Sequence, residues 1–475
     1  MTATQRRLAI LLLALTAYWP TLKLGFFWDD HVMIEANPAL REWSIKNLKH
    51  DFSTDVFDGH GDPYYRPAQT LANRVDYTIW GLRPFGYHLT NFAFHAANSA
   101  LLGELIIALG LGPLAALLAG CLFAVHPIGV EQLMIIAGRA ELMSFCFMLA
   151  SLLCFLQEGP LFVLAGSAAY VLALFSKESA IVTPALFILI LWFLKKRRSL
   201  FNRLWIYGGL AVPYLIARFL AVGSKVPSMT ASFMTKFYIE AFPKILTVYV
   251  RLILVPWNLH SHRMIPHLSH FWFLYLAAWA GLWLWLIRKK NRLGVFFLGW
   301  FIVTLLPKTP PMIIGNFTLD HWGYPAALGI LGPLACGFAR LWEGRHIRWR
   351  YRTALLFFPI LAAFALLTQL NVELRGTDEK MYRWALNFTE SHPIQYNLGV
   401  LLLTTGRAQE AIPYFENVRA LYPENADNQR ALAIAYWKTG HPRLARRLLE
   451  KLIKENPSYT PAGQTLQQLE STETK

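Results

Sequence analysis

The sequence predicts an all-α, polytopic membrane protein that ends in a small soluble domain of helical repeats. Three observations predict this class. The 475 residues are 55% apolar and only 16% charged, with a mean hydropathy of +0.35, whereas soluble domains carry about 25% charged residues. Apolar segments of bilayer-crossing length recur along residues 1–370. Residues 371–475 instead have a soluble composition and contain an internal repeat.

Twelve apolar segments approach the length of about 20 residues that a transmembrane helix needs. They lie near residues 7–25, 89–109, 113–130, 139–157, 160–176, 179–194, 203–222, 237–256, 271–287, 293–306, 322–340 and 352–370. The first begins after Arg6-Arg7 as a secretion signal does, but Trp19-Pro20 stands where small residues would mark a cleavage site. We therefore predict that this first span is retained.

Basic clusters predict the orientation, because cytoplasmic loops carry an excess of Lys and Arg. Sixteen basic residues fall in four short stretches, residues 6–7, 195–203, 288–292 and 340–352, which together contain a single acid, Glu343. If all four stretches are cytoplasmic, the net charge of +16 reports membrane topology. Nucleic acid is then excluded as a partner.

The number of membrane crossings must be consistent with the side of each basic stretch, and this excludes a crossing by residues 237–256. The segment contains Pro243 and Lys244, and if it crossed the membrane the basic stretch at 288–292 would lie outside. We predict an interfacial or re-entrant helix here. The count becomes eleven crossings, with the N-terminus in the cytoplasm and residues 371–475 on the outer, periplasmic or lumenal, face of the plasma membrane.

The first loop, defined as residues 25–88, is acidic and carries nine Asp and Glu residues, two of which are Asp58 and Asp62. Asp29 and Asp30 are adjacent and follow the first span closely. Like charges side by side raise the pKa of one group, which suits a general base. The alternative is a solvated loop start or a helix cap, since Asp is a common N-cap residue.

Further polar residues occur where predicted spans reach the same face. They are Arg66, His88, His126, Glu131, Arg139, Glu141, Lys177, Glu178, His260, His262, Arg263, His267 and His321. Five of them together suit an anionic headgroup, because Arg forms forked hydrogen bonds to phosphate: Arg66, Arg139, Lys177, Arg263 and His321. Taken singly, each fits an interfacial anchor or a salt bridge, such as Arg139 with Glu131. No HExxH, GxSxG or Gly-rich phosphate loop occurs, so we predict no metal-binding residues and leave metal dependence open.

The C-terminal region repeats itself. Leu398-Gly399 corresponds to Leu432-Ala433 at an offset of 34, and the same offset relates Gly406 to Gly440, Ala411 to Ala445 and Pro423 to Pro457. This period, with small residues at helix contacts and Pro after the second helix, is typical of tetratricopeptide repeats. Residues 378–390 are predicted to add a capping helix. The repeats predict a docking surface for a peptide or partner protein, with a purely stabilising cap as the alternative.

Six motifs in order resemble one family. They are Asp29-Asp30 with Asn37-Pro38, Tyr65-Arg66-Pro67, Gly86-Tyr87-His88-Leu89-Thr90-Asn91 with His95, His126-Pro127-Ile128 with Glu131, Gly138-Arg139-Ala140-Glu141-Leu142, and Ser176-Lys177-Glu178. Together with the repeats, they resemble the transmembrane and tetratricopeptide-repeat-containing O-mannosyltransferases of the GT-C glycosyltransferase superfamily. The resemblance covers nearly the whole chain, and the short external loop at residues 307–321 indicates a bacterial member.

The resemblance implies a GT-C domain over residues 1–370, with the first loop catalytic, followed by a repeat domain over residues 371–475. It implies a polyprenyl-phosphate-linked sugar donor and inverting transfer to an acceptor hydroxyl, chiefly protein Ser or Thr, at the outer face. It also implies that the general base is Asp29 or Asp30. The donor phosphate is assigned to Arg66, Arg139, Lys177 and His321, with Glu141 and Glu178 orienting these cations and His88, His126 and Glu131 supporting them.

Two other functions remain open at this point. One is a non-enzymatic membrane scaffold that recruits partners through its repeats and whose polar rim is structural. The other is a transporter of lipid-linked sugars, which should show inverted-repeat symmetry between its halves. The polar motifs instead crowd the N-terminal part of the chain, from Asp29 to Glu178, which favours the transferase.

Overall fold

The computed structural model describes residues 1–57, 64–195, 203–223, 231–265, 271–344 and 347–473. Some residues singled out in the sequence lie outside these ranges: Asp58, Asp62, Lys196, Arg197, Arg198, His267 and Arg345. The described chain is almost entirely helical, which confirms the all-α prediction. It divides into two compact units, Met1–Leu259 with Ile265–Glu373, and His260–Met264 with Leu374–Lys475.

The first unit contains long apolar helices together with several short ones. Its helices are α1 (Ala3–Tyr18), α2 (Ile45–Asp51), α3 (Pro67–Trp80), α4 (Pro84–Ala108), α5 (Pro113–Val125), α6 (Val130–Met134), α7 (Arg139–Phe155), α8 (Pro160–Ser176), α9 (Thr183–Leu194), α10 (Leu204–Val222), α11 (Ala231–Lys236), α12 (Phe242–Leu254), α13 (Trp272–Arg288), α14 (Arg292–Leu305), α15 (Thr309–Gly315), α16 (Leu328–Trp342) and α17 (Ile347–Arg375). A two-residue strand, Phe317–Thr318, follows α15. Pro84, Pro113 and Pro160 begin three of the helices, where a missing backbone N–H costs nothing.

Each of the twelve predicted spans falls mainly on helix in its described residues. Among the described residues, five helices are long and apolar enough to cross a membrane: Ile136–Phe155, Leu204–Val222, Arg292–Ile313, Pro325–Trp342 and Ile347–Arg375. A sixth span arises if Pro113–Val125 and Pro127–Met134, bent by 49°, act as one. The count of eleven crossings and the orientation stay predictions.

A stripe of buried polar residues runs along α4, which packs against α1, α5 and α7. His88, Asn91, His95 and Asn98 recur at intervals of three and four residues and are fully buried, so they share one face of the helix. Asn98 donates to the carbonyl of Leu142 over 3.0 Å. Hydrogen bonding offsets the cost of burying such groups, and the stripe therefore fixes how the neighbouring helices meet α4.

The second unit contains the repeats. Its helices are α18 (Asp378–Leu386), α19 (His392–Thr404), α20 (Ala408–Leu421), α21 (Ala426–Lys438), α22 (Pro442–Glu455) and α23 (Thr460–Glu473), and a two-residue strand, Arg263–Met264, belongs to the same unit. The helix pairs α19–α20 and α21–α22 follow each other at the offset of 34 that the sequence predicts. Gly406 and Gly440 end the first helix of each pair with φ of +82° and +81°, a conformation that favours glycine.

Candidate active site

The first loop begins with a fixed turn around Asp30. This side chain is fully buried and accepts three backbone N–H groups, from Phe27 and Ile136 at 3.0 Å and from Ala137 at 2.7 Å. Burial raises the pKa of Asp30 to about 7, against the lowering effect of these three donors. Both carboxylate oxygens are thus committed to holding the loop against the turn that precedes α7.

Asp29 lies next to this anchor but is only half-buried. The residue before it, Trp28, has a φ of +47°, in the left-handed region where a bulky side chain is strained. A single π-helical turn, His31–Glu35, follows the pair. Strained residues and π-turns concentrate at functional sites. The two adjacent aspartates therefore occupy different environments, one anchored in the protein interior and the other at its edge.

Arg139, the first residue of α7, is buried and fully paired. Its guanidinium lies 2.5 Å from the carboxylate of Asp76 and donates to Asn91, Asn73 and the carbonyl of Tyr87 at 2.9 to 3.0 Å. The alternative pairing of Arg139 with Glu131 is not the one that the structure shows. All three guanidinium nitrogen atoms of Arg139 have partners within the protein. These contacts join α3, α4 and α7.

Within the same first turn of α7, Glu141 binds two lysines. Its Oε2 atom lies 2.7 Å from the ammonium of Lys177 and 2.6 Å from the ammonium of Lys308. All three side chains are buried, with 2%, 9% and 3% of Glu141, Lys177 and Lys308 exposed. Lys308 ends a short 3-10 turn after α14. A buried carboxylate with two cations leaves a positive charge in the protein interior.

Arg66 and Glu178 form a second ion pair beside Lys177. The guanidinium of Arg66 donates to both carboxylate oxygens of Glu178, at 2.9 and 3.1 Å, and stacks over the ring of Tyr64 at 4.4 Å. Burial lowers the pKa of Arg66, but the attraction of Glu178 outweighs burial and raises it above its usual value. Glu178 keeps 31% of its side chain exposed, so this pair reaches the edge of the site.

His321 and Glu131 form a further contact, and Glu131 lies shortly before α7 in the chain. The Nδ1 atom of His321 lies 2.9 Å from Glu131, and Gln132 donates its side-chain amide to the carbonyl of His321 over 3.4 Å. His321 keeps 16% of its side chain exposed. His321 is therefore partly exposed, whereas Glu131 and Arg139 are buried.

Two predicted supporting histidines lie in the interior. The Nδ1 atom of His126 accepts the backbone N–H of Ile128, so its Nε2 atom carries the hydrogen that it donates to Ile253 over 2.7 Å. The ring nitrogens of His88 lie 3.0 Å from the carbonyl oxygens of Gly25 and Leu133. Both rings join separate backbone segments, and His88 holds the start of the first loop.

Residues 131–141 connect most of these contacts. This segment binds His321 through Glu131, Asp30 through its backbone, Asp76 through Arg139, and two lysines through Glu141. Arg66 and Glu178 contact each other next to it. Arg263 lies in the second unit. Within the described residues, no group of three or more His, Cys, Asp and Glu side chains is arranged to hold a metal ion.

Comparison with known proteins identifies relatives of this chain. Residues 402–469 match the tetratricopeptide repeat family. Protein O-mannosyl-transferase TMTC3 of Mus musculus is 37% identical over 147 residues, which cover 30% of this chain and 16% of the relative. Protein O-mannosyl-transferase TMTC4 of Mus musculus is 26% identical over 82% of this chain and 63% of its own length. The chain is homologous to the TMTC protein O-mannosyl-transferases.

Relatives of this group occur in other animals as well. Protein O-mannosyl-transferase tmtc2 of Xenopus laevis is 36% identical over 31% of this chain and 18% of its own length. The match therefore spans less than a fifth of the length of the first TMTC relatives. No solved structure matches the chain. The resemblance inferred from the sequence motifs and the repeats is confirmed.

Sequence reasoning missed three residues of this TMTC homologue's site. Lys308 follows an apolar segment and has no motif around it, and its partner Glu141 is 167 residues away. Asp76 is one acid among nine in the first loop. Gln69, which donates to the carbonyl of Ala137 over 3.0 Å, carries no charge to draw attention. A signal was available for Lys308, since the predicted topology places this lysine at the outer end of a span and away from the four basic stretches.

Proposed function

We propose that this chain is an inverting glycosyltransferase that moves a sugar from a polyprenyl-phosphate-linked donor to a protein hydroxyl at the outer face of the membrane. One observation carries the proposal. Residues 136–141 bind both the loop that contains the aspartate pair and the buried cations of Lys177 and Lys308. A base for the acceptor and positive charge for the leaving phosphate are then supported by the same short segment.

Asp29 is the proposed general base. Asp30 uses both oxygens for backbone contacts, whereas Asp29 is half-buried and follows a strained residue. The acceptor oxygen forms a bond to the anomeric carbon, the bond from that carbon to the phosphate oxygen breaks, and its electron pair stays on the phosphate. Asp29 takes the hydroxyl proton. A base within hydrogen-bond reach contributes typically about 10² to 10⁴ in rate.

Lys177 and Arg66 are the proposed ligands of the donor phosphate, with His321 at the accessible side. Fixed cations stabilise the negative charge that develops on the leaving group. Glu178 and Glu141 orient them, and Glu131 orients His321. For Arg139 we propose a positioning role through Asp76, because its donors are already used. We propose that His88 and His126 hold the surrounding backbone.

Mannose is the first sugar to test, because the names of the relatives state O-mannosyl transfer. The tetratricopeptide repeats supply the proposed docking surface for the acceptor protein, since stacked repeats form extended concave binding surfaces. The repeats would recognise the acceptor protein and take no part in the chemical step.

The test is release of polyprenyl phosphate from a polyprenyl-phosphate-mannose by the purified full-length protein with a Ser- and Thr-containing acceptor. Asp29→Asn should lower turnover by about 10² or more while the unfolding temperature stays that of the wild type. Asp29→Glu is the matched variant that keeps the carboxylate. Wild-type protein that is inert with mannose, glucose and N-acetylhexosamine donors would instead support the membrane scaffold.

A further inference from the structure

Two buried lysines on a single carboxylate exceed what structural pairing requires. We define the cation cluster as Arg66, Lys177, Lys308, Glu141 and Glu178; its three cations and two carboxylates leave one net positive charge. Burying a charge is costly unless it is paired. Glu141 carries one negative charge and contacts two lysines, so this group has one more cationic side chain than it has carboxylates.

Another carboxylate of the first unit also contacts two cations and provides a comparison. Glu104 accepts Arg6 at 2.9 Å and Arg7 at 3.0 Å. There the second cation, Arg7, has 57% of its side chain exposed and Glu104 has 22%, so water solvates the surplus charge. At Glu141, both ammonium groups are at least nine-tenths buried. Water therefore does not solvate the lysines of the cation cluster as it solvates Arg7, and an anionic ligand would match their charge.

The donors of the two ammonium groups also remain underused. Each ammonium has three N–H donors, and across the described ranges Glu141 is the only side chain that forms a hydrogen bond or ion pair with either lysine. Both contacts converge on the same carboxylate oxygen, so the two nitrogen atoms are close neighbours. A phosphate oxygen placed beside them would receive donors from two directions, with charge assistance from both.

We propose that Lys308 is a second ligand of the donor phosphate and that Glu141 is the counter-ion which lets the released polyprenyl phosphate leave. This inference rests on the proposed function, and it adds a residue and a role for the surplus charge. The donor is a phosphodiester with one negative charge. The released monoester has a second ionisation with a pKa of about 6 and carries close to two negative charges at neutral pH.

The ligand therefore becomes more negative during the reaction, and the cations of the cluster attract it more strongly as it does so. A net charge of +1 matches the diester, and the second ammonium interacts more strongly with the leaving phosphate than with the bound donor. Interactions that strengthen toward the transition state raise the rate. Without Glu141, the same site would carry two surplus charges and retain its product.

The experiment measures equilibrium binding of farnesyl phosphate, a soluble monoester, to full-length protein in detergent. Farnesyl methyl phosphate, the corresponding diester, and farnesol serve as comparison ligands. The wild type should bind the monoester about tenfold more tightly than the diester at pH 7 and about equally at pH 5, where the second ionisation is lost. Equal affinity for both esters at pH 7 would overturn the proposal without any variant.

Lys308→Met removes the charge at similar volume and leaves Glu141 paired with Lys177. It should weaken monoester binding about tenfold or more and leave farnesol binding unchanged. Lys308→Arg should retain binding, and Glu141→Gln should tighten it. Arg6→Met is the matched control, since it removes one of two cations from Glu104. A Lys308→Met protein that binds the monoester like wild type, or an equal loss in Arg6→Met, refutes a role for Lys308.

Turnover assays on the same preparations separate the two proposals. If Asp29→Asn abolishes turnover while Lys308→Met binds the monoester normally, the function stands and the role of Lys308 fails. If no donor is turned over but monoester binding depends on Lys308, the phosphate site stands and the transferase proposal fails.

Discussion

The carboxylate of Asp30 accepts the backbone N–H of Ala137 over 2.7 Å, and this contact joins the first loop to the turn that leads into α7. Functional loops need a rigid scaffold to position their side chains. Here the scaffold is the helix whose next residues include Arg139 and Glu141. The anchor gives the two adjacent aspartates different surroundings: Asp30 holds the loop in the interior, and Asp29 beside it is only half-buried.

The stability of this anchor should depend on pH. The pKa of Asp30 rises from 3.8 to about 7 on folding, so between these values the folded protein keeps a proton that the unfolded chain has lost. Raising the pH through this window therefore favours unfolding. The increase in the pKa of Asp30 corresponds to a stabilising contribution of about 4 kcal/mol to the unfolding free energy. This contribution is fully present below pH 4 and is lost by about pH 7.

Thermal unfolding in detergent, compared between wild type and Asp30→Asn, checks this prediction. Other titrating groups cancel in the comparison. The stability of the wild type relative to the variant should fall as the pH rises from 4 to 7 and stay constant above 7. A difference that grows with pH would mean that the N–H donors dominate and that the carboxyl is ionised throughout.

The buried pair of Arg139 and Asp76 should be essential for stability. Asp76→Asn leaves the guanidinium of Arg139 in the interior without its counter-charge, and breaking such a pair costs about 3 to 5 kcal/mol. The measurement is the unfolding temperature and the folded yield of the purified protein. Glu410→Gln, at the exposed pair with Arg407, is the control and should change neither. An Asp76→Asn protein as stable as wild type would contradict the assigned pairing.

Gly138 should tolerate no side chain. A Cβ atom there would lie 2.6 Å from the carbonyl oxygen and 2.7 Å from the Cα of Gln132, so backbone has to move. Gly138→Ala should destabilise the protein by about 1 to 3 kcal/mol and reduce turnover further, because the anchor of Asp30 and the start of α7 shift together.

Gly337 supplies the matched control for this substitution. It lies inside α16, and a Cβ atom added there would have no neighbour within 4 Å, so Gly337→Ala should stabilise the helix by about 0.5 to 1 kcal/mol. Turnover should stay that of the wild type. Equal effects of the two substitutions would indicate that the close approach at Gly138 is unimportant.

The sequence predicts the helices and the repeats well because both depend on local, periodic patterns. Consecutive apolar residues indicate a span, and pairs such as Gly406 and Gly440 indicate the repeat. The contacts of the candidate site are harder to predict from the sequence, because they join residues that are far apart in the chain. Neighbouring Asp29 and Asp30 look equivalent in the sequence, and only burial distinguishes them. Arg139 pairs with Asp76 rather than Glu131 because α3 and α4 pack beside α7, which no spacing rule reveals.

The two repeats differ at one contact in a way that suggests compensation. In the first repeat, Gly399 lies so close to Phe415 that a Cβ atom would be 2.7 Å from the ring. In the second repeat, the corresponding residues at the offset of 34 are Ala433 and Leu449, which share one buried cluster. Glycine with phenylalanine and alanine with leucine are two ways to fill the space between the helices of a repeat.

Gly399→Ala alone should therefore destabilise the second unit, because Phe415 cannot move without disturbing its core; overpacking of this kind costs about 1 to 3 kcal/mol. Combining it with Phe415→Leu should recover most of the loss, since the pair then reproduces the second repeat. Phe415→Leu alone opens a cavity and should also destabilise. Limited proteolysis and unfolding of the full-length protein measure the coupling, and Gly463→Ala in α23, with no neighbour within 4 Å, is the control. Strictly additive effects would show that the two residues act independently.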